Sequence, residues 1–359
     1  MKTTVIIFLS FIWVLPSGAQ HVGLKPSEIK ALYNLSKTDA VVGKMLKGYI
    51  SKAAEALTDN PNPRDTIVSE GHLKTHPDKI ASVLAMADYA KIYALALAYE
   101  LDGDKACLNK ASEFLSAWAS VNHPQGNPIN DTKLDYVFAA YDMLRPKIAA
   151  PQKKIIDSWM MTMADAEMAN AKKGRSTSMN NWHSHRLKVV GQIGFILANK
   201  TYIDYAVQGL KEQIGQNLNA DGTSWDFLER DALHYHAYDL EPMLALSIVI
   251  KRATGENIFT YVSAKGTSIL KSVDWFLPYL NGEKVHEEYV NSKVAFDRER
   301  AKNKEKGFEI GSHFDVKQGL YTLSLASYFD PVYLNSIRMV SKSKGDYSDW
   351  QSVLNGVMR

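Results

Sequence analysis

Pro77-Asp78-Lys79-Ile80-Ala81-Ser82-Val83-Leu84-Ala85-Met86-Ala87-Asp88-Tyr89-Ala90-Lys91-Ile92-Tyr93-Ala94-Leu95-Ala96-Leu97-Ala98-Tyr99-Glu100 is the stretch on which the fold turns. Pro77 marks a helix entry. Ile80, Val83, Leu84, Ala87, Tyr89, Ile92, Leu95 and Leu97 then spread apolar side chains over more than one helical face. A surface helix has one apolar stripe; a helix with two must lie between layers. Helical periodicity recurs on both sides, at Ser27–Leu35, Ala40–Leu57, Asp104–Val121, Thr132–Leu144, Pro151–Ala171, Asn181–Asn199, Tyr202–Leu218, Asp239–Thr254, Ile258–Phe276, Val316–Tyr328, Pro331–Val340 and Tyr347–Met358. Strand-type alternation is scarce, so an all-α chain is predicted. A ring of helical hairpins, an incomplete α/α toroid, buries two-faced helices within a single domain of this length. The loops at one end of such a ring form a funnel. A plain helical bundle is the alternative.

The chain has 359 residues, 46% hydrophobic and 23% charged, which excludes disordered, collagen-like and coiled-coil classes. Its 42 Lys+Arg against 39 Asp+Glu leave a charge of +3 without the basic cluster of a nucleic-acid binder. That balance suits an anionic ligand if the charge is focused in a cleft. A single cysteine, Cys107, excludes an intramolecular disulfide and a Cys-based zinc site. Lys2, the apolar run Val5–Leu15 and the small residues up to Ala19 read as a secretory signal peptide. No cysteine follows that run to carry a lipid anchor. The expectation is a signal peptide over 1–19 and one toroid domain over 20–359, periplasmic or secreted and free of the membrane. Leu280–Gly311 is charged and irregular and reads as a long excursion, of the kind that forms a lid.

Histidines cluster in two segments. One is Ser178-Met179-Asn180-Asn181-Trp182-His183-Ser184-His185-Arg186, with Asn180 or Asn181 placed to cap a helix. The other is Arg230-Asp231-Ala232-Leu233-His234-Tyr235-His236-Ala237-Tyr238, with Asp239 placed to cap the next helix and Pro242 in its first turn. Residues i and i+2 of a helix point about 200° apart, so His183 and His185, if helical, do not chelate one ion together, although one histidine from each segment could still meet. No His-Glu-x-x-His occurs, and neither a metal nor another cofactor is expected. No Gly-x-Ser-x-Gly elbow is present. Asp226, Glu229 and Asp231 supply the carboxylates that a glycoside hydrolase would need. A non-catalytic binder of acidic oligosaccharide would use the same cleft.

Asn, His, Tyr and Arg together are the parts for β-elimination on a uronic acid. The proton on C5 becomes acidic only when the neighbouring carboxylate is neutralised and the enolate-like intermediate stabilised. A base then takes that proton, and an acid protonates the leaving O4. In a β-mannuronate H5 and O4 share a face, so one tyrosine could do both.

Asn180-Asn181-Trp182-His183 resembles the Asn-Asn-His type motif of helical-toroid alginate lyases and related uronate polysaccharide lyases. Arg230 to Leu240 resembles their second motif, an Arg followed by a Tyr-His block. Elsewhere, from Pro26 to Tyr328, the likeness is one of helical layout. The resemblance implies that Asn181 neutralises the carboxylate, Tyr235 is base and acid, and Arg230 tunes the site. Trp182 departs from the pattern, so His183 or His185 takes the histidine's role, and Tyr238 competes with Tyr235. Asn180, Trp182, His185, His234, His236, Tyr238 and Arg175 are candidate substrate contacts, Trp182 by stacking on a sugar. His72 and Lys74 could bind carboxylates at neighbouring subsites, and His286, Arg298 and Arg300 could reach the cleft from the excursion. The expected partner is an anionic polysaccharide, alginate first and a glucuronate polymer such as glucuronan second.

Overall fold

The structure is a computed structural model that describes residues 20–172, 174–343 and 345–359. The signal-peptide expectation falls outside these residues. Among the described residues seventeen α-helices follow one another: α1 Pro26–Thr38, α2 Ala40–Ala56, α3 Pro77–Ala85, α4 Ala87–Asp102, α5 Lys105–Val121, α6 Pro128–Asp131, α7 Asp135–Leu144, α8 Ala150–Asn170, α9 Asn181–Leu197, α10 Lys200–Asn217, α11 Trp225–Arg230, α12 Leu233–Thr254, α13 Ile269–Leu280, α14 Ala295–Lys302, α15 Leu320–Ser327, α16 Tyr333–Ser341 and α17 Trp350–Met358. Among the described residues, pairing of the β type is limited to isolated bridges such as Leu218 with Ser224.

Successive inner helices form a ring. α4 packs on α7, α7 on α9, α9 on α12, α12 on α15 and α15 on α17, and α1 joins α17 back to α4. Outside it, α2 and α5 flank α4, α8 and α10 flank α9, and α13 and α16 back the last third. This is the α/α toroid, with the two-faced helices as its inner ring. The decisive stretch is broken at Met86. Ile80, Val83 and Leu84 on α3 are exposed, while α4 buries Tyr89, Ile92, Tyr93, Leu95 and Leu97. Residues 77–102 are long and apolar enough to cross a membrane, and here they supply part of the ring and its core.

α9 is the most enclosed helix, with nearly every residue from Ser184 to Ile196 buried. Small residues let its neighbours approach. A Cβ on Gly191 would lie 2.5 Å from Leu246 Cδ1, and one on Gly194 would lie 2.9 Å from the Ile203 backbone nitrogen. Replacing Gly194 by alanine should therefore destabilise the fold. The ~1 kcal/mol that alanine usually gains over glycine in a helix is outweighed by overpacking against backbone, at about 1–3 kcal/mol. Denaturant unfolding should show a lower midpoint for Gly194→Ala; a raised midpoint would contradict this packing.

Candidate active site

Both histidine segments are helix starts, and they meet on the inner wall of the ring. Asn180 caps α9, its side chain accepting from Trp182 N at 3.0 Å. α12 starts earlier than expected, at Leu233, which puts His234 to Tyr238 in its first turns and Pro242 inside the helix. Asp239 is consequently no cap; it is buried and accepts from Ser184 Oγ at 2.6 Å. The carboxylate of Glu288, on the excursion, caps α12 instead, accepting from Leu233 N at 2.8 Å and His234 N at 3.1 Å.

Helical geometry sends His183 and His185 apart. His185 is 4% exposed and faces Tyr238, ring centroids 4.4 Å apart. Its Nδ1 lies 2.8 Å from Thr132 Oγ1, and its Nε2 has no hydrogen-bond partner. Burial, reinforced by Lys188 and Lys133, holds its pKa well below the usual value. His183 does not join this pair; burial and Arg186 lower it to about 4. Among the described residues no three His, Cys, Asp or Glu groups converge in a way that could hold a metal ion.

The two tyrosines have different surroundings. Tyr235 is 6% exposed, with the Arg230 guanidinium 3.9 Å from its ring centroid and Arg300 Nη1 donating to its Oη at 3.0 Å. Burial raises its pKa, while Arg230 and Arg300 pull it back. Arg230 is in turn paired with the buried Asp297 at 2.5 Å. Tyr238 lines a cavity of about 490 Å³ inside the ring, together with His185, Lys133, Lys188 and Glu241. Burial, Glu241 and Tyr235 push its pKa up, and Lys133 Nζ lies 5.7 Å from its ring centroid. A broader open depression of about 860 Å³ beside α10, near Lys211 and Tyr261, has no histidine or arginine in its walls.

The remaining expected contacts divide. Asn181 is buried and directs its Nδ2 to Asp226, which also accepts from Asn181 N at 2.8 Å. His236 is fully buried, its Nδ1 3.0 Å from Ser224 Oγ and its Nε2 3.2 Å from Ser272 O, packed against Trp275 and Phe276. It packs as a core residue. His234 is half-buried, 2.9 Å from Gln318 Oε1 through Nδ1. Trp182 is half-buried and Arg175 exposed, and neither lines the cavity. His72 stacks on His76 at 4.1 Å. Lys74 reaches the excursion, donating from N to Glu305 Oε1 at 2.6 Å and from Nζ to Lys306 O at 3.0 Å. The excursion thus contributes Arg300 and touches the 70–76 loop. His286 is half-buried against Asp231 O at 3.1 Å, and Arg298 is exposed.

The acids of the hydrolase alternative do not form a pair across the cavity. Asp226 is buried beneath Asn181 and Asn217, Glu229 pairs with Lys293 at 3.2 Å, and Asp231 accepts from Asn291 N at 2.8 Å. Sequence reading missed Lys133, Lys188 and Glu241; the only signal for Lys188 and Glu241 was helical phase relative to His185 and Tyr238, and Lys133 carried none.

A helical toroid whose inner wall joins an Asn-His helix start to an Arg-Tyr-His helix start defines the class, a polysaccharide lyase. The chain matches the alginate lyase family over residues 42–286 and belongs to that family. Similar solved structures include an alginate lyase from Bacteroides ovatus, 15% identical with a TM-score of 0.64, covering 92% of this chain and 99% of that one. Alginate lyase A1-III from Sphingomonas species A1 is 17% identical with a TM-score of 0.54, covering 82% and 94%. A Tyr→Phe variant of alginate lyase A1-III complexed with tetrasaccharide is 18% identical with a TM-score of 0.55, covering 72% and 79%. Comparison with curated proteins returns no match.

His236 makes the burial testable. Its pKa is lowered to about 4 by burial, so between the unfolded value near 6.5 and about 4 only the unfolded chain takes up this proton. The wild type should lose stability relative to His236→Phe as pH falls through that window, by on the order of 1–3 kcal/mol. Unfolding at pH 7 and pH 4.5 measures the difference; a constant difference would contradict a neutral, buried His236.

Proposed function

We propose that the protein cleaves alginate, at mannuronate residues, by β-elimination, with His185 and Tyr238 as the reacting pair. The observation that carries this is their contact at the cavity wall. Their surroundings push their proton affinities in opposite directions, which assigns base and acid. His185 stays neutral, and with Nδ1–H donated to Thr132 its Nε2 lone pair is free. Tyr238 stays protonated.

The C5–H bond breaks, and its proton goes to His185 Nε2. The electron pair forms the C4–C5 double bond as the C4–O4 bond breaks, and Tyr238 Oη gives its proton to O4. The imidazolium and phenolate left behind are neighbours, so proton transfer between them restores both. Because the two rings lie side by side, with centroids 4.4 Å apart, they address one sugar face, as H5 and O4 of a mannuronate require. Lys133, beside Tyr238 and without an ion-pair partner among the described residues, supplies charge for the substrate carboxylate. Arg230 and Arg300 clamp Tyr235 as a rigid neighbour. The relatives complexed with tetrasaccharide are Tyr→Phe and His→Ala variants of alginate lyase A1-III, which supports a tyrosine and a histidine as partners. The apolar run before Ala19 supports export to the periplasm or beyond.

Tyr238→Phe and His185→Ala should each lower turnover by about 10²–10⁴, with Tyr235→Phe milder. The assay is ultraviolet absorbance of the unsaturated product on polymannuronate and, in parallel, glucuronan. Loss at Tyr235 with Tyr238→Phe active would move the reaction to the other tyrosine. Reducing ends without absorbance would end the elimination reading, and faster turnover on glucuronan would replace the substrate.

A further inference from the structure

The cavity continues past the reacting pair along the ring axis. Its wall on α12 runs from Tyr238 to Arg252, or about 21 Å at ~1.5 Å per residue. The upper part is polar. His185, Lys188 and Gln192 stand at i, i+3 and i+7 on one face of α9, opposite Glu241. The lower part is mostly apolar, with Leu24, Ile248, Leu325, Leu354 and Met358, and holds Arg252 and Asp349 as its charged groups.

The far end is closed by the strap that precedes α1. Asp142 Oδ2 accepts from His21 N, Val22 N and Gly23 N at 2.9, 2.8 and 2.9 Å. Arg252 Nη1 donates to His21 O at 2.5 Å, and Nη2 pairs with Glu28 at 2.6 Å. Two groups in the polar belt have nothing to bond. His185 Nε2 is free, and so is Oε1 of Gln192, a residue only 5% exposed. A buried acceptor without a partner costs stability unless a ligand or water satisfies it. Lys188 Nζ, held by Asp135 Oδ2 at 2.5 Å, sets a fixed cation between them.

We infer that this belt is a dead-end subsite for the terminal residue of a uronate chain, so that cleavage proceeds from chain ends. The inference rests on the elimination reading above. The one cation of the floor, Arg252, is already bound to Glu28 and His21 O, so a polyanion that continued there would bury its carboxylates unpaired, and the strap lies across the far end. Gln192 Oε1 accepts from a sugar hydroxyl, and Lys188 with Lys133 attracts the terminal carboxylate. A volume of about 490 Å³ is that of a small-molecule pocket rather than of a passage for polymer.

Polymannuronate digestion by the full chain, followed by absorbance, viscosity and product size together, tests this. Viscosity should fall slowly relative to absorbance, with monomer to about trimer as the first products, as a pocket of this size admits. Rapid viscosity loss with long unsaturated oligosaccharides would overturn the dead end and leave the elimination reading intact. No absorbance on any uronate polymer would remove the elimination reading itself. Gln192→Leu tests the subsite without endangering the fold, because it removes an unsatisfied buried acceptor. KM should rise about tenfold, the worth of one hydrogen bond, with kcat and the thermal midpoint nearly unchanged. An unchanged KM would overturn the assignment of Gln192.

Discussion

Asp226 is the constraint on which the site depends. It is 1% exposed and accepts from Asn181 N, Asn181 Nδ2 and Asn217 Nδ2, so one carboxylate ties the starts of α9 and α11 to the end of α10. Burial raises its pKa, and these donors oppose the rise. Removing a partner from a buried charge is costly, so the rotation of α9 about its axis is fixed. That rotation decides which histidine looks inward. With Asn181 turned to Asp226, His185, one turn on, faces Tyr238, and Lys188 and Gln192 follow on the same face.

The opposite wall is held from outside the ring. Asp231 adopts a left-handed backbone, φ 48°, at the end of α11. There its carbonyl accepts from Tyr289 N at 2.7 Å, and its carboxylate accepts from Asn291 N. The excursion is thereby pinned beside α12, and Glu288 caps that helix while Arg300 reaches Tyr235. A residue in this conformation stores backbone strain, offset here by the bonds it makes. The charged segment therefore holds the start of α12 and Tyr235.

Much of this was legible in the sequence. Two-faced apolar periodicity, as in Tyr89 to Leu97, implies a layered helical ring, and the Asn-Asn and Arg-Tyr-His segments mark the helix starts that meet. What remained hidden depends on helical phase and on tertiary partners. Asp239 and Pro242 look like a helix start, but the carboxylate of Glu288, distant in sequence, caps the helix at Leu233. His236 carries the same local pattern as His185 and is buried against Trp275 and Phe276, which no spacing reveals. Arg300 was one of three excursion residues expected to reach the cleft, and its particular contact with Tyr235 comes from the path of the excursion. Lys133 and Lys188 belong to no motif.

The central claim is that His185 is a neutral imidazole with a bare Nε2 facing a protonated Tyr238. Nitrogen-15 NMR of histidine-labelled protein, with His185 assigned by comparison with His185→Gln, reads tautomer and charge directly. The account predicts a neutral ring protonated on Nδ1, unchanged from pH 8 to below pH 6. An imidazolium at neutral pH, or a neutral ring protonated on Nε2, would contradict it.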